Sequence, residues 1–93
     1  MGHTLPVPHD VPIPDHLRKL WKVKVLDREV PREAPHVTIF RKAQKWRVGI
    51  RELEFLDDDP PPREVPHALL EAIQQDRAAI VEYWNRVHPS NPV

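Results

Sequence analysis

The chain of 93 residues contains no cysteine and only two glycines. The absence of cysteine excludes a disulfide framework, a thiolate metal site and a cysteine nucleophile. No apolar run is long enough to cross a membrane, and the first 15 residues show no basic region followed by an apolar segment. We therefore expect a cytoplasmic protein of one domain, with a core limited by the small size of the chain.

The chain also lacks the residue patterns that catalysis and metal binding require. No serine or carboxylate stands at a spacing that would orient His36 in a triad. No H-x-x-x-H or H-E-x-x-H pattern occurs, and Asp57, Asp58 and Asp59 lack the alternate spacing and the glycine of a calcium loop. We predict no catalytic residue, no metal site and no cofactor, and we favour a protein that is not an enzyme.

A formal net charge of zero conceals a strong asymmetry along the chain. Residues 16–51 carry eleven Lys and Arg against three Asp and Glu, whereas residues 52–93 carry three against nine. This pattern predicts either that the acidic half lies against the basic half or that a basic face is left for an anionic partner. The run from Asp57 to Asp59 is interpreted as a solvated acidic loop that also neutralises part of this basic face.

Proline and apolar residues divide the chain into three parts. Prolines at positions 6, 8, 12 and 14 predict an extended N-terminal tail over residues 1–15, with Val7, Val11 and Ile13 available to lie on the domain. Residues 16–88 are predicted to form a single α+β domain. Residues 89–93 are predicted to be a C-terminal tail.

Alternating apolar and polar residues predict three strands, at residues 20–26, 36–42 and 45–51. The apolar face carries Trp21, Val23, Val25, Val37, Ile39, Trp46, Val48 and Ile50. A turn centred on Ala43 and Gln44 would pair Ile39 with Val48 and would place the Arg41 guanidinium beside the Trp46 indole. Since the turn contains no glycine, a four-residue loop is an equal alternative, and both loops keep the same faces together. Residues 52–56 either continue the third strand or add a short fourth one.

A helical pattern begins at Pro66 and ends before Pro89. Its apolar stripe is interrupted at residues 74–77, where the helix is expected either to bend or to divide in two. The predicted fold is therefore α+β, with a three- to four-stranded antiparallel sheet and one C-terminal amphipathic helix packed on one face.

The sheet face opposite the helix is the candidate binding surface. Phe40 lies there among positive charges, a combination typical of proteins that bind single-stranded nucleic acid. The simpler interpretation, which we favour, is a solvated basic face with Phe40 covered by neighbouring residues. The predicted binding residues are Lys22, Lys24, His36, Thr38, Phe40, Arg47 and Arg51.

Two short stretches resemble a known family. The strand Ala34-Pro35-His36-Val37-Thr38-Ile39, a basic hairpin and the helix end Glu82-Tyr83-Trp84-Asn85 are similar to the small bacterial proteins of domain of unknown function 4160. That family shows Pro-Pro-His-Val-His-Val at this strand, so this chain departs from it at Ala34 and Thr38. The resemblance implies the same hairpin and C-terminal helix, and a role in a two-gene module of toxin–antitoxin type.

Three functional hypotheses follow from the sequence. The leading one is a non-enzymatic interaction module that binds a protein partner, or a second copy of itself, through the basic face or a sheet edge. The alternative is a small protein that binds RNA or single-stranded nucleic acid through the basic face. The third is an enzyme with His36 as general base and Arg51 as anion clamp.

Overall fold

Four antiparallel strands form one sheet in the order β1-β2-β3-β4 in the computed structural model, which describes residues 7–27 and 33–93. The strands are β1 (His9–Asp10), β2 (Trp21–Val25), β3 (His36–Arg41) and β4 (Gln44–Gly49). The helices are α1 (His67–Gln75) and α2 (Arg77–Val87), and short 3-10 helices occur at Asp15–Leu17 and Pro62–Glu64. Residues 1–6 of the predicted tail and 28–32 of the loop before β3 lie outside the described residues.

The predicted α+β class with an antiparallel sheet is confirmed, but the single C-terminal helix is replaced by two. Asp76 separates them, with φ −94° and ψ 8°. Backbone bonds continue across the break, because the Asp76 N–H donates to Ala72 O and the Ile80 N–H donates to Asp76 O. The division falls where the apolar stripe is interrupted, so no core contact there holds a regular helix together.

The fourth strand comes from the N-terminal segment and not from residues 52–56. In β1, His9 pairs with Val25 and Asp10 with Lys24. The pairing is extended by the Val11 N–H, which donates to Val23 O at 2.9 Å, and the Val11 side chain is 4% exposed. Burial of Val11 in the core stabilises a strand too short to be recognised from its own residues.

The β3–β4 hairpin differs from the predicted register by two residues. Ile39 lies opposite Trp46, and Arg41 lies opposite Gln44. The loop therefore consists of Lys42 and Ala43, with Lys42 in the left-handed region at φ 53°. Because the difference is an even number, the alternation that assigns residues to the two faces of the sheet is kept.

The core lies between the apolar face of the sheet and the two helices. Trp46 and Trp84 are its largest fully buried side chains, and both indole N–H groups are satisfied. Trp46 Nε1 donates to Pro61 O at 3.2 Å, and Trp84 Nε1 donates to Asn91 O at 2.7 Å. The core consists of Val11, Trp21, Val23, Val25, Val37, Ile39, Trp46, Val48, Ile50, Val65, Leu69, Ala72, Ile73, Ile80, Tyr83 and Trp84.

Candidate binding surface

The sheet face opposite the helices is only partly open to solvent. His36 and Thr38 are 1% and 4% exposed, so their side chains do not contribute to an accessible surface. Thr38 lies between Lys24 and Arg47 of the neighbouring strands, whose long side chains flank it. Of the other predicted binding residues, Lys22 and Arg51 are exposed, and Lys24, Phe40 and Arg47 are half-buried.

His36 is held by contacts within the protein. Its Nδ1–H donates to Ala34 O at 2.8 Å, and its ring lies 5.5 Å from the ring of Trp84. Its Nε2 is 3.9 Å from a carboxylate oxygen of Glu33. These contacts give His36 a structural role at the start of β3. Arg51, its partner in the enzyme hypothesis, donates to Pro92 O at 2.8 Å.

Arg47 is neutralised by two carboxylates. Its Nε and Nη2 donate to the two oxygens of Asp57 at 2.9 and 2.7 Å, and its Nη1 is 3.4 Å from Glu33. The hydrogen bonds from Arg47 lower the pKa of Asp57 below its usual value, although burial opposes this effect. Asp57 of the acidic run therefore neutralises part of the basic face, as the sequence predicted, and the Arg47 guanidinium is already bound within the molecule.

On the core side of the hairpin, Arg41 covers two indole rings. Its guanidinium carbon lies 5.1 Å from the ring centres of both Trp21 and Trp46, which are 5.5 Å from each other. It also donates to Gln44 and forms an ion pair with Glu64. The predicted contact between guanidinium and indole therefore exists, although Arg41 and Trp46 are not directly opposite in the sheet.

The open part of the surface is a groove of about 450 Å³ beside β2. Its lining comes from β2, from β3, from the hairpin loop and from the turn before β2. We call this site the basic groove, and its lining residues are Arg18, Lys19, Leu20, Lys22, Lys24, Phe40 and Lys42.

A second cleft of about 500 Å³ adjoins the basic groove and shares Arg18, Lys22 and Lys24 with it. Its other wall is the N-terminal segment from Asp10 to Ile13. The docking of β1 thus shapes the surface on this side of β2.

The cations of the basic groove differ in their partners. Lys24 forms an ion pair with Asp10 at 2.8 Å, and Arg18 forms an exposed one with Asp15 at 3.1 Å. Within residues 7–27 and 33–93, Lys19, Lys22 and Lys42 form no ion pair. These three lysines therefore line the groove as positive charges that no carboxylate of the described residues neutralises.

The apolar part of the groove is formed by Leu20 and Phe40. Leu20 is 46% exposed, and Phe40 is half-buried. A leucine exposed to this extent between basic residues is suited to contact an apolar group of a ligand. The groove therefore combines apolar contact with unneutralised positive charge.

Sequence reasoning found only part of this groove. It identified Lys22, Lys24 and Phe40 from the alternation of the strands, but it missed Arg18, Lys19, Leu20 and Lys42. In the structure Arg18, Lys19 and Leu20 lie in a turn before β2, and Lys42 lies in the hairpin loop. Leu20 and Lys42 belonged to the predicted strands, but neither was assigned to the binding surface. The dipeptide Arg18-Lys19, one residue before β2, was the signal that could have indicated the turn.

In the described part of the chain, residues 7–27 and 33–93, no group of three or more His, Cys, Asp or Glu side chains is placed to hold a metal ion. No helix among them has the length and apolar character needed to cross a membrane.

Comparison of the whole chain with protein-family models, with curated proteins and with solved structures found no match.

Proposed function

We propose that this protein is a non-enzymatic interaction module that binds an acidic, partly apolar segment of a protein partner in the basic groove. The observation that carries this proposal is the placement of Lys19, Lys22 and Lys42, which form no ion pair within the described residues, around the exposed Leu20 and the half-buried Phe40. Carboxylates of the partner would neutralise the lysines, and an apolar side chain between them would contact Leu20.

The basic groove is favoured over a sheet edge as the binding site. In the described residues, β1 is two residues long, and the outer edge of β4 is covered where Gly49 and Arg47 hydrogen bond with Glu54 and Leu56. Short and covered edges offer few free backbone groups to an added strand.

A protein segment is favoured over nucleic acid because Arg41 and Arg47 are paired with carboxylates of the protein itself. Arg47 is bound by Asp57 and Glu33, and Arg41 lies on the core side with Glu64. Nucleic acid binding by a sheet relies on exposed aromatic rings for base stacking, and Phe40 is half-buried. RNA binding by the lysines remains the alternative function, and the experiment below includes it.

The resemblance to domain of unknown function 4160 concerns the hairpin and the C-terminal helix, and it contributes little to the choice of function. The structural role of His36 agrees with a function that requires no catalysis.

The test measures binding of a fluorescent synthetic peptide of alternating glutamate and leucine by anisotropy. We expect saturable binding that weakens as salt is raised from about 50 to about 500 mM. Lys22→Glu should weaken it by about tenfold or more, since it reverses a charge in the groove. Arg63→Glu, which changes an exposed arginine outside the groove, is the matched control.

A labelled oligouridine of similar length is measured in parallel. Binding of the oligouridine but not of the peptide, with loss in Lys22→Glu, would replace the proposed function by the RNA alternative. Absence of binding to both probes would remove the groove as a binding site.

A further inference from the structure

The segment after β4 carries exposed acidic residues that alternate with covered ones. Leu53, Phe55 and Asp57 are half-buried, whereas the residues between them are exposed. Leu56 is 39% exposed, which is unusual for a large apolar side chain in an acidic segment. We call this surface the acidic strip, and it consists of Glu52, Glu54, Leu56, Asp58 and Asp59.

The carboxylates of the acidic strip have no ion-pair partner among residues 7–27 and 33–93. Asp57, on the covered side, binds Arg47, but Glu52, Glu54, Asp58 and Asp59 form no ion pair in the described parts of the chain. The neighbouring Arg51 donates to Pro92 O. The strip therefore has the chemistry expected of the groove's ligand, with carboxylates on both sides of an exposed leucine.

The acidic strip cannot reach the basic groove of its own molecule. Gly49 N–H donates to Glu54 O at 2.7 Å, and Leu56 N–H donates to Arg47 O at 2.8 Å, which fixes the strip along the outer edge of β4. The groove is lined from β2, β3 and the hairpin loop, and β4 lies between β3 and the strip in the sheet. Neighbouring strands are about 4.8 Å apart, so the strip and the far wall of the groove are separated by the width of several strands.

We propose that the basic groove is occupied by the acidic strip of a second copy of this chain. This inference rests on the proposed function and names its partner. Charge complementarity carries it, because Lys19, Lys22 and Lys42 of one copy face carboxylates of the other. Leu56 of the second copy contacts Leu20 and Phe40 of the first, so that two exposed leucines cover each other.

The contact joins two different surfaces of the chain, which determines the assemblies that it can form. If each of two copies places its strip in the groove of the other, they form a closed dimer. If each copy places its strip in the groove of a third molecule, the contact repeats and produces a linear oligomer. Since the groove is small and its charges are exposed, the association is weak and sensitive to salt.

The test is sedimentation velocity of the purified chain at high protein concentration. We expect dimers or larger species at about 20 mM salt and monomers at about 500 mM. Lys22→Glu and Asp58→Lys should each be monomeric at low salt, whereas the matched controls Arg63→Glu and Glu82→Lys should associate like the parent. All four positions are exposed, so these variants are expected to fold.

Mixing the two monomeric variants distinguishes the proposed contact from general charge effects. Lys22→Glu retains an intact strip and Asp58→Lys an intact groove, so their mixture contains one native contact and should form a heterodimer. The inference is overturned if the parent is monomeric at low salt, if either groove or strip variant still associates like its control, or if the mixture stays monomeric.

The peptide titration described above separates this inference from the proposed function. A monomeric protein that binds the glutamate–leucine peptide through Lys22 overturns self-association and leaves the proposed function intact. A protein that neither self-associates nor binds the peptide overturns both this inference and the proposed function.

Discussion

Arg47 and Asp57 form a double hydrogen bond that ties the acidic loop to the sheet, with donor–acceptor distances of 2.9 and 2.7 Å. Arg47 belongs to β4, and Asp57 lies ten residues later, beyond the bridge between Val48 and Phe55. The basic face therefore has two parts, one at β4 where Arg47 is neutralised by Asp57 and one at the basic groove where lysines are exposed.

The first prediction concerns the pH dependence of this pair. Because Arg47 holds the pKa of Asp57 below its usual value of 3.8, the folded state binds fewer protons here than the unfolded state. The stabilisation is present in full above pH of about 4 and is lost as pH falls through the lowered, folded pKa. Asp57→Asn should lower the free energy of unfolding at pH 7 by less than about 1 kcal/mol, since both side chains are about one third exposed.

Urea unfolding monitored by far-ultraviolet circular dichroism between pH 7 and pH of about 2.5 measures this difference. The difference in the free energy of unfolding between the parent and Asp57→Asn should become smaller as the pH is lowered. Asp58→Asn is the control, because Asp58 is exposed and forms no ion pair in the described residues. Equal stability of the two variants at pH 7 would contradict the prediction.

The second prediction concerns the guanidinium that covers the two indoles. Arg41→Ala removes contacts with Trp21 and Trp46 and an ion pair with Glu64, and it should lower the free energy of unfolding by about 1–2 kcal/mol. Urea unfolding measures the change. The control is Lys45→Ala, which removes an exposed cation from the neighbouring strand. If Arg41→Ala lowers the free energy of unfolding by no more than Lys45→Ala does, the stacking of Arg41 on the indoles contributes nothing to stability.

The third prediction concerns the attachment of β1. His9 Nε2 donates to Asp76 Oδ2 at 2.7 Å, and the Tyr83 hydroxyl donates to Val7 O, so the N-terminal segment is bound to the helix junction as well as to β2. His9→Ala should increase amide hydrogen exchange at Val11, whose N–H donates to Val23 O. The exposed His16 gives the control variant His16→Ala, which should leave exchange at Val11 unchanged.

The fourth prediction tests whether His36 contributes to the stability of the fold or to the binding of a ligand. His36→Ala removes a fully buried ring that contacts Trp84 and donates to Ala34 O, so it should lower the free energy of unfolding by about 2 kcal/mol or more. Under conditions where the variant is folded, its affinity for the glutamate–leucine peptide should equal that of the parent. His67→Ala, at an exposed site, is the control for stability. A specific loss of peptide binding in His36→Ala would assign the histidine to the binding surface.

Much of the fold could be predicted because the strands follow a simple alternation. Apolar side chains at every second position determine the faces of β2, β3 and β4, and this prediction does not depend on the register. The register itself was wrong because the loop contains no glycine or asparagine that would indicate its position, and Lys42 adopts a positive φ without such a signal.

The errors on the candidate surface have a common physical cause. The charge pattern predicted that the acidic run neutralises part of the basic face, but it did not indicate that Asp57 binds Arg47 in particular. No local pattern indicates the contact of His36 with Trp84, which is distant in sequence. The same is true of β1, which is defined by its pairing with β2 and by the burial of Val11. Local periodicity predicts which face a residue occupies, but not which distant side chain covers it.

The burial of all three tryptophans provides an optical probe of the core. Trp21, Trp46 and Trp84 all belong to the core cluster, and none of them lines the basic groove. The emission spectrum of the protein should therefore report the integrity of the folded state with no contribution from an exposed indole. Variants of the groove and of the acidic strip should leave this spectrum unchanged, so loss of binding with an unaltered spectrum can be assigned to the surface alone.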